Sequence, residues 1–445
     1  MDHLIGVNQM RLICRRILRC RHTCALLTVV LTTCTAAQTI TLRRAVELTL
    51  SHSGMTGMAD PDQARAYAAY REARNGYLPR LVSGSGIGGS YGFPLSLENA
   101  APSLFNVTSQ QALFSPAQKS FVRSANSGYQ SARWQGQDQR DGLIQDAVLT
   151  YVELNKWSQE LDLLKTEVGN NQKMEAVEQE RIQAGVDKPV ELNKVKLASA
   201  RVRMRAAEAQ GSADVMRLHL AQLTGLPAEE LGTDPNSIPS LPEFKQDEDL
   251  ARKAVEVNPA VKAAEQQAIA KRFHAEAEYK SLLPSVDFAA QYALLANFNN
   301  YDVYIRNFQH HNASGGLVFR LPFFDPVQRA RAAEAKAEAI RSTRQAEEAK
   351  QKVSLETLRL QRIVEQLAAS VEVAQLQYDL AQSELEAAQV RVQTETGTLR
   401  EEQDARSKVE QSYNALIDAN LALDKARVEL LRHTGELEQW ALSGK

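Results

Sequence analysis

The stretch "GSGIGG" (84–89) has the glycine spacing of a dinucleotide-binding turn. That chemistry needs a helix directly after the glycines, whose N-terminal amides can receive a pyrophosphate. Here "SYGFP" follows, and the glycines read instead as part of a strand or a rim. His310 and His311 stand side by side in "NFNNYDVYIRNFQHHNAS". Adjacent imidazoles can ligate a transition metal, but this stretch has the composition of an exposed loop, which is the simpler reading. The four cysteines, Cys14, Cys20, Cys24 and Cys34, all lie before residue 38. No nucleophile–base pair, metal-ligand cluster or phosphate loop stands out, so the chain reads as no enzyme and implies no cofactor.

The N-terminus has the layout of an export signal. Arg11, Arg15, Arg16, Arg19 and Arg21 form a basic region, "ALLTVVL" (25–31) a short apolar core, and "TAAQ" (35–38) a small-residue cleavage site after Ala37. Residues 1–37 are therefore expected to be a signal peptide. Cleavage there removes every cysteine, which excludes disulfides and thiolate metal sites from the mature chain. Met10 offers a second start, and Cys34 in "LTTC" a lipid-attachment alternative in which Thr33 stands where Gly, Ala or Ser is usual. After residue 38 no run of about 20 apolar residues occurs, so any membrane crossing must use strands. The 52 basic and 54 acidic residues are well mixed and give a net charge of −2, which leaves no electrostatic footprint for nucleic acid.

The elements between these points occur twice. "ALFSPAQKS" (112–120) and "PFFDPVQRA" (322–330) share a hydrophobic pair, a small polar residue, a proline and a switch to helix-forming sequence. From Pro116 to Gly225 the chain aligns without gaps on Pro326 to Gly435, at an offset of 210. Upstream the offset is 205, which puts "YLPRL" on "LLPSV" and "SG" (53–54) on "NP" (258–259). Repeats of this kind are read before any other structural signal. The expected division is a first structural repeat over 38–235 and a second over 236–445. The first holds a helix, two strands at about 80–115 and a coiled-coil hairpin at 117–225. The second holds a helix, two strands at about 285–325 and a hairpin at 327–435.

The helical stripes are regular. Leu360, Val364, Leu367, Val371, Ala374, Tyr378, Ala381, Leu385, Ala388 and Val392 alternate spacings of four and three, as do Ala405, Val409, Ser412, Leu416, Ala419, Leu423, Ala426 and Leu430. These are the seams of coiled-coil partners, with Gly397 near the turn between them. No proline follows Pro326, so a helix over 327–393 would run roughly 100 Å. Two interruptions stand out. Gly54, Gly57 and Pro61 predict a break in the first helix, with a restart at Pro61, and Glu395 in the second turn stands where the first has Gly185.

The strands have period two. Val286, Phe288, Ala290, Tyr292, Leu294, Ala296 and Phe298 face one side, and Ser285, Asp287, Gln291 and Asn297 the other. Leu317, Phe319, Leu321 and Phe323 alternate with Ser314, Gly316, Val318 and Arg320. The earlier pair is rich in Gly and Ser and carries a weaker signal. Ten of the 27 aromatics fall within 279–324 and three after 326. Aromatics concentrated on alternating strands suit a barrel facing lipid. Four strands cannot close one, and an open edge in lipid leaves backbone groups unpaired.

In their order and doubling, "ITLRRAVELTL" (40–50), the "YLP" and "LLP" strand entries, "ALFSPAQ", "LPFFDPVQRA" and "RIQAG" (181–185) resemble the outer membrane efflux proteins of the TolC family, over about residues 39–440. The resemblance implies a mostly α fold with transmembrane β. Tandem-duplicated coiled-coil hairpins would carry four β-strands per chain, which contribute to a 12-stranded trimeric barrel. It implies an outer-membrane exit duct, extending into the periplasm, for a tripartite efflux or type I secretion system. The partners would be two further copies, a periplasmic adaptor protein, an inner-membrane pump and outer-membrane lipid, with no nucleic acid. Pro116 and Pro326 would mark the strand-to-helix junctions. Gly185, Val186, Pro189, Gly397 and Leu399 would sit in the turns that meet the adaptor, where the alternative is a turn with no partner. Because acidic residues after the second turn narrow the tunnel mouth in the family, "LREEQDA" (399–405) offers Glu401 and Asp404 as periplasmic gate residues. A solvated coiled-coil face is the alternative there. The competing function is a periplasmic coiled-coil adaptor, which usually has one hairpin rather than two.

Overall fold

The structure is a computed structural model. It describes residues 38–52, 56–86, 103–185, 188–242, 249–295, 309–394 and 396–443. The expected export signal at 1–37, the second half of "GSGIGG", the loop between the second strand pair up to residue 308, Val186 and Glu395 lie outside those residues.

In chain order the elements are β1 (Gln38–Ile40), α1 (Leu42–His52), α2 (Thr56–Asn75), β2 (Arg80–Gly84), β3 (Ser103–Phe114), α3 (Pro116–Gln183), α4 (Pro189–Thr224) and β4 (Leu231–Thr233), then α5 (Leu250–Val257), α6 (Pro259–Lys280), β5 (Ser285–Leu295), β6 (His311–Arg320), α7 (Pro326–Gln393), α8 (Leu399–His433) and α9 (Leu437–Ser443). The duplication is visible in the lengths. Helices α3 and α7 have 68 residues each, and α4 and α8 have 36 and 35. At 1.5 Å per residue each long helix spans roughly 100 Å. Helix α4 folds back along α3, and α8 along α7.

In the first half helical residues run Leu42–His52 and Thr56–Asn75, and the predicted break at Gly54 lies outside the described residues. Pro61 stands inside the second stretch rather than at its start, so one hydrogen bond near its N-terminus is forgone. In the second half Asn258 ends α5 and caps α6, its side-chain carbonyl accepting from Ala260 N (2.9 Å) and Val261 N (3.3 Å). The stretch "NPAVKAAEQQ", helix-forming throughout, thus begins with a break.

Small residues set the helix spacing beside the sheet. Ser120, Ser127, Ser131 and Gly136 of α3 are buried, as are Ala263, Ala268, Ala270 and Ala277 of α6. Ser124 and Ser131 donate to the Ala270 and Ala263 carbonyls at 2.9 and 2.8 Å, a contact only closely packed helices make. Further along, the expected seam is buried at Leu360, Val364, Ala374, Ala381, Ala388, Leu416, Leu423, Ala426 and Leu430.

The main hydrophobic core is a belt around the middle of the molecule. It joins β1, α1, the centre of α3, the end of α4, β4, the end of α8 and α9. Tyr151 is fully buried there. Its hydroxyl donates to the Ile40 carbonyl (2.7 Å) and accepts from the Asp234 amide (2.8 Å), which ties the parallel β1–β4 pair to α3.

The other four described strands form one antiparallel sheet in the order β2-β3-β5-β6, with no described strand beyond β2 or β6. The pairs Asp287↔Val318, Ser285↔Arg320, Gln110↔Ala289 and Arg80↔Gln110 put these residues on one face. Phe288, Tyr292, Leu317, Phe319 and Leu81 occupy the other and are exposed. The expected alternation is therefore present across 285–295 and 311–320. No described helix is long and apolar enough to cross a membrane.

Candidate functional site: the strand-to-helix junctions and the hairpin tips

The second strand of each pair, β3 and β6, becomes a long helix through the same device. At the first junction Ser115 is the N-cap, its hydroxyl accepting from Gln118 N at 3.2 Å, and Pro116 takes the first helical position. At the second, Asp325 accepts from Gln328 N at 2.8 Å and Pro326 follows. A capping oxygen satisfies an amide that the first turn leaves unpaired, and proline has no amide to leave. The two glutamines do more than donate to the caps. Gln118 Nε2 donates to the Ala73 carbonyl of α2, and Gln328 Nε2 to the Glu278 carbonyl of α6 at 2.9 Å. Ala73 and Glu278 are related by the upstream offset of 205, so each long helix is tied to the end of the upper helix in its own half. The glutamines stand in both quoted motifs, but their partners are 45 and 50 residues away and no local pattern exposes them.

At the other end the tips differ. The first turn is closed by Gly185, with φ +74 and its amide bonded to Ile182 O at 3.0 Å. Only glycine takes that left-handed conformation without steric cost. Pro189 is the first residue of α4. In the second turn the amides of Thr396 and Gly397 both donate to Arg391 O at 2.9 Å. Gly397 is outside the left-handed set, but a Cβ there would meet Arg391 Cβ at 2.8 Å. Leu399 opens α8, and Thr398 caps it by accepting from Glu401 N at 3.3 Å.

Of the gate candidates, Glu401 is exposed in the first turn of α8, 3.9 Å from Arg391 Nε. The helix N-terminus favours its negative charge. Asp404 lies one turn on, in a groove of about 420 Å³ between the hairpins that Glu167, Arg201, Arg205, Arg406 and Glu410 also line. The pKa of Glu410 is pushed up to about 7, first by burial and then by the hydrogen bond and charge of Glu167, with Arg406 opposing.

Between the same hairpins, beside Arg205, is a cluster that no sequence motif announced. Lys156 and Glu160 of α3 are buried, with Lys156 Nζ 3.0 Å from Glu160 Oε2 and 2.9 Å from Asp418 Oδ1 of α8. Arg205 of α4 donates to Glu160 Oε1 at 2.6 Å, and Lys156 Nζ lies 3.5 Å from the centre of the Trp157 ring. The cluster clamps three helices from both hairpins. Its four charges sit at i, i+4 or on separate helices, where local reading sees only solvated faces.

Residues 250–436 match the model of the outer membrane efflux protein family. Among curated proteins none matches the sequence. Three solved outer-membrane proteins, the channels OprN and MtrE and the protein VceC, share the fold. OprN is 20% identical with a TM-score of 0.73, covering 90% of this chain and 90% of that one. VceC of Vibrio cholerae is 17% identical with a TM-score of 0.71, covering 88% and 95%. MtrE of Neisseria gonorrhoeae, solved in its open state, is 17% identical with a TM-score of 0.70, covering 92% and 94%. At these identities the likeness establishes the fold.

Proposed function

We propose that this chain, which carries an outer membrane efflux protein domain over 250–436 and has the fold of the TolC-family channels, is an outer-membrane exit duct. It conducts substrates passively from an inner-membrane pump and a periplasmic adaptor to the exterior. Three copies each give four strands to one 12-stranded barrel, and their hairpins form the tunnel across the periplasm. After a cleaved 1–37 signal, the working units are the repeats 38–235 and 236–445.

One observation carries this reading. A four-stranded sheet has two open edges, one apolar exposed face, and rods of roughly 100 Å rooted in its strands. Unpaired strand edges in lipid cost several kcal/mol per group, so the sheet needs partner sheets. An adaptor has no use for such a sheet, and two hairpins exceed its usual one.

Within the duct, Gly185, Val186, Pro189, Gly397 and Leu399 form the adaptor-contacting turns, and Glu401 and Asp404 the gate. Three copies turn each gate carboxylate into a ring that favours cations. In planar bilayers, Glu401→Ala with Asp404→Ala should lower the cation preference and raise conductance. An unchanged conductance and preference would remove the gate assignment. Fractionation tests the duct itself: the protein should enter the outer membrane as a heat-sensitive trimer, and a soluble or inner-membrane protein would rule the duct out.

A further inference from the structure

The described barrel strands hold three permanently charged side chains, Arg80, Asp287 and Arg320. Strand register puts all three on the face opposite the exposed aromatics. All three also lie at the foot of the sheet: Arg80 opens β2, Arg320 closes β6, and Asp287 is the third residue of β5. The rest of that face is neutral, with Thr108, Gln110, Gln291 and Ser314 lining a hollow of about 580 Å³ together with Arg80.

The charges do not balance. Asp287 is buried, with Oδ2 3.3 Å from Arg320 Nη2 and accepting from Gln110 Nε2 at 3.3 Å. Arg320 nonetheless keeps 64% of its side-chain surface open. Arg80 is exposed and forms no ion pair with a described residue. Both open edges begin or end at the foot, so an antiparallel meeting of β2 with β6 of a neighbouring copy brings Arg80 of one beside Arg320 of the next. Two guanidiniums and one carboxylate per copy become six and three in a closed trimer.

We propose that this foot of the barrel is an anion-attracting ring, through which solutes bearing carboxylate or phosphate groups pass in preference to cations. The proposal rests on the duct reading above. A ring of arginines on a low-dielectric wall focuses its field across the pore and raises the local anion concentration. The guanidinium fork also matches carboxylate and phosphate oxygens. At physiological salt the field extends about 8 Å from the wall, so the effect strengthens as salt is lowered.

Reversal potentials across a potassium chloride gradient, measured on the trimer in planar bilayers, test the ring. The measurement is made in the wild type and in the Glu401→Ala/Asp404→Ala background, so that the tip cannot mask the foot. Arg80→Gln with Arg320→Gln should lower the chloride-to-potassium permeability ratio by about twofold or more. Arg80→Lys with Arg320→Lys should preserve it, and Asp287→Asn should raise it. A conducting trimer whose ratio is the same with and without the two arginines, in both backgrounds, overturns the ring and leaves the duct standing. A wild type that forms no conducting trimer overturns the duct, and the ring with it.

Discussion

Tyr151 has one proton to give, and it goes to the Ile40 carbonyl while the Asp234 amide approaches from the other side. Tyr151→Phe removes both bonds inside the belt, and leaving such groups buried without partners costs about 1–3 kcal/mol each. Thermal unfolding of the variant should therefore begin at a clearly lower temperature, and an unchanged transition would contradict the burial of that hydroxyl. Glu160 is the hub of the clamp, shared by Lys156 and Arg205. Glu160→Ala leaves two partly buried cations facing each other, a loss in the range of about 3 kcal/mol. Titration acts at the same interface. A carboxyl whose pKa is raised on folding stabilises the fold fully below its ordinary value of 4.5, and this contribution is lost as pH rises through about 7. The α3–α8 contact near Glu167 and Glu410 should thus loosen on going from acid to neutral pH. Hydrogen exchange at 160–170 and 405–415, corrected for intrinsic rate, should rise over that window in the wild type and stay flat in Glu410→Gln. Flat behaviour in both proteins would show that the pair does not titrate there.

The elements differ in how openly their sequence announced them. The seam from Leu360 to Val392 was legible because helix period is a local property, repeated without interruption. The strands of the second half were legible through alternation, whereas β2 and β3 were weaker because Gly and Ser fit either face. The start of α2 at Thr56 was misjudged, since proline near a helix start costs one bond rather than ending the helix. Neither the clamp nor the Gln118 and Gln328 anchors could be read, because their partners are set by packing and not by spacing. The junctions combine both kinds of information. Removing the caps, by Ser115→Ala or Asp325→Ala, should cost about 1 kcal/mol each. Gln118→Ala and Gln328→Ala should instead free α2 and α6 from the long helices. Limited proteolysis near 76–80 and 281–284 should accelerate in the glutamine variants more than in the cap variants. Equal rates would mean that the glutamines only decorate the junction.

At the scale of the molecule, the proposed duct makes one chain a sector. Its two hairpins and two strand pairs are joined by the central belt, but its sheet stops at β2 on one side and β6 on the other. Gly225 and Gly435, with φ +74 and +73, turn the two hairpins back into that belt at matching points. Gly225 is packed on His52 and Gly435 faces Val257, again residues at the same offset of 205. No described strand pairs with either outer edge of the sheet, so the account requires neighbouring copies. The most direct test is the native mass of the detergent-solubilised, cleaved protein. The account predicts a particle of three chains that falls apart on heating. A folded monomer whose four strands remain intact in micelles would contradict it.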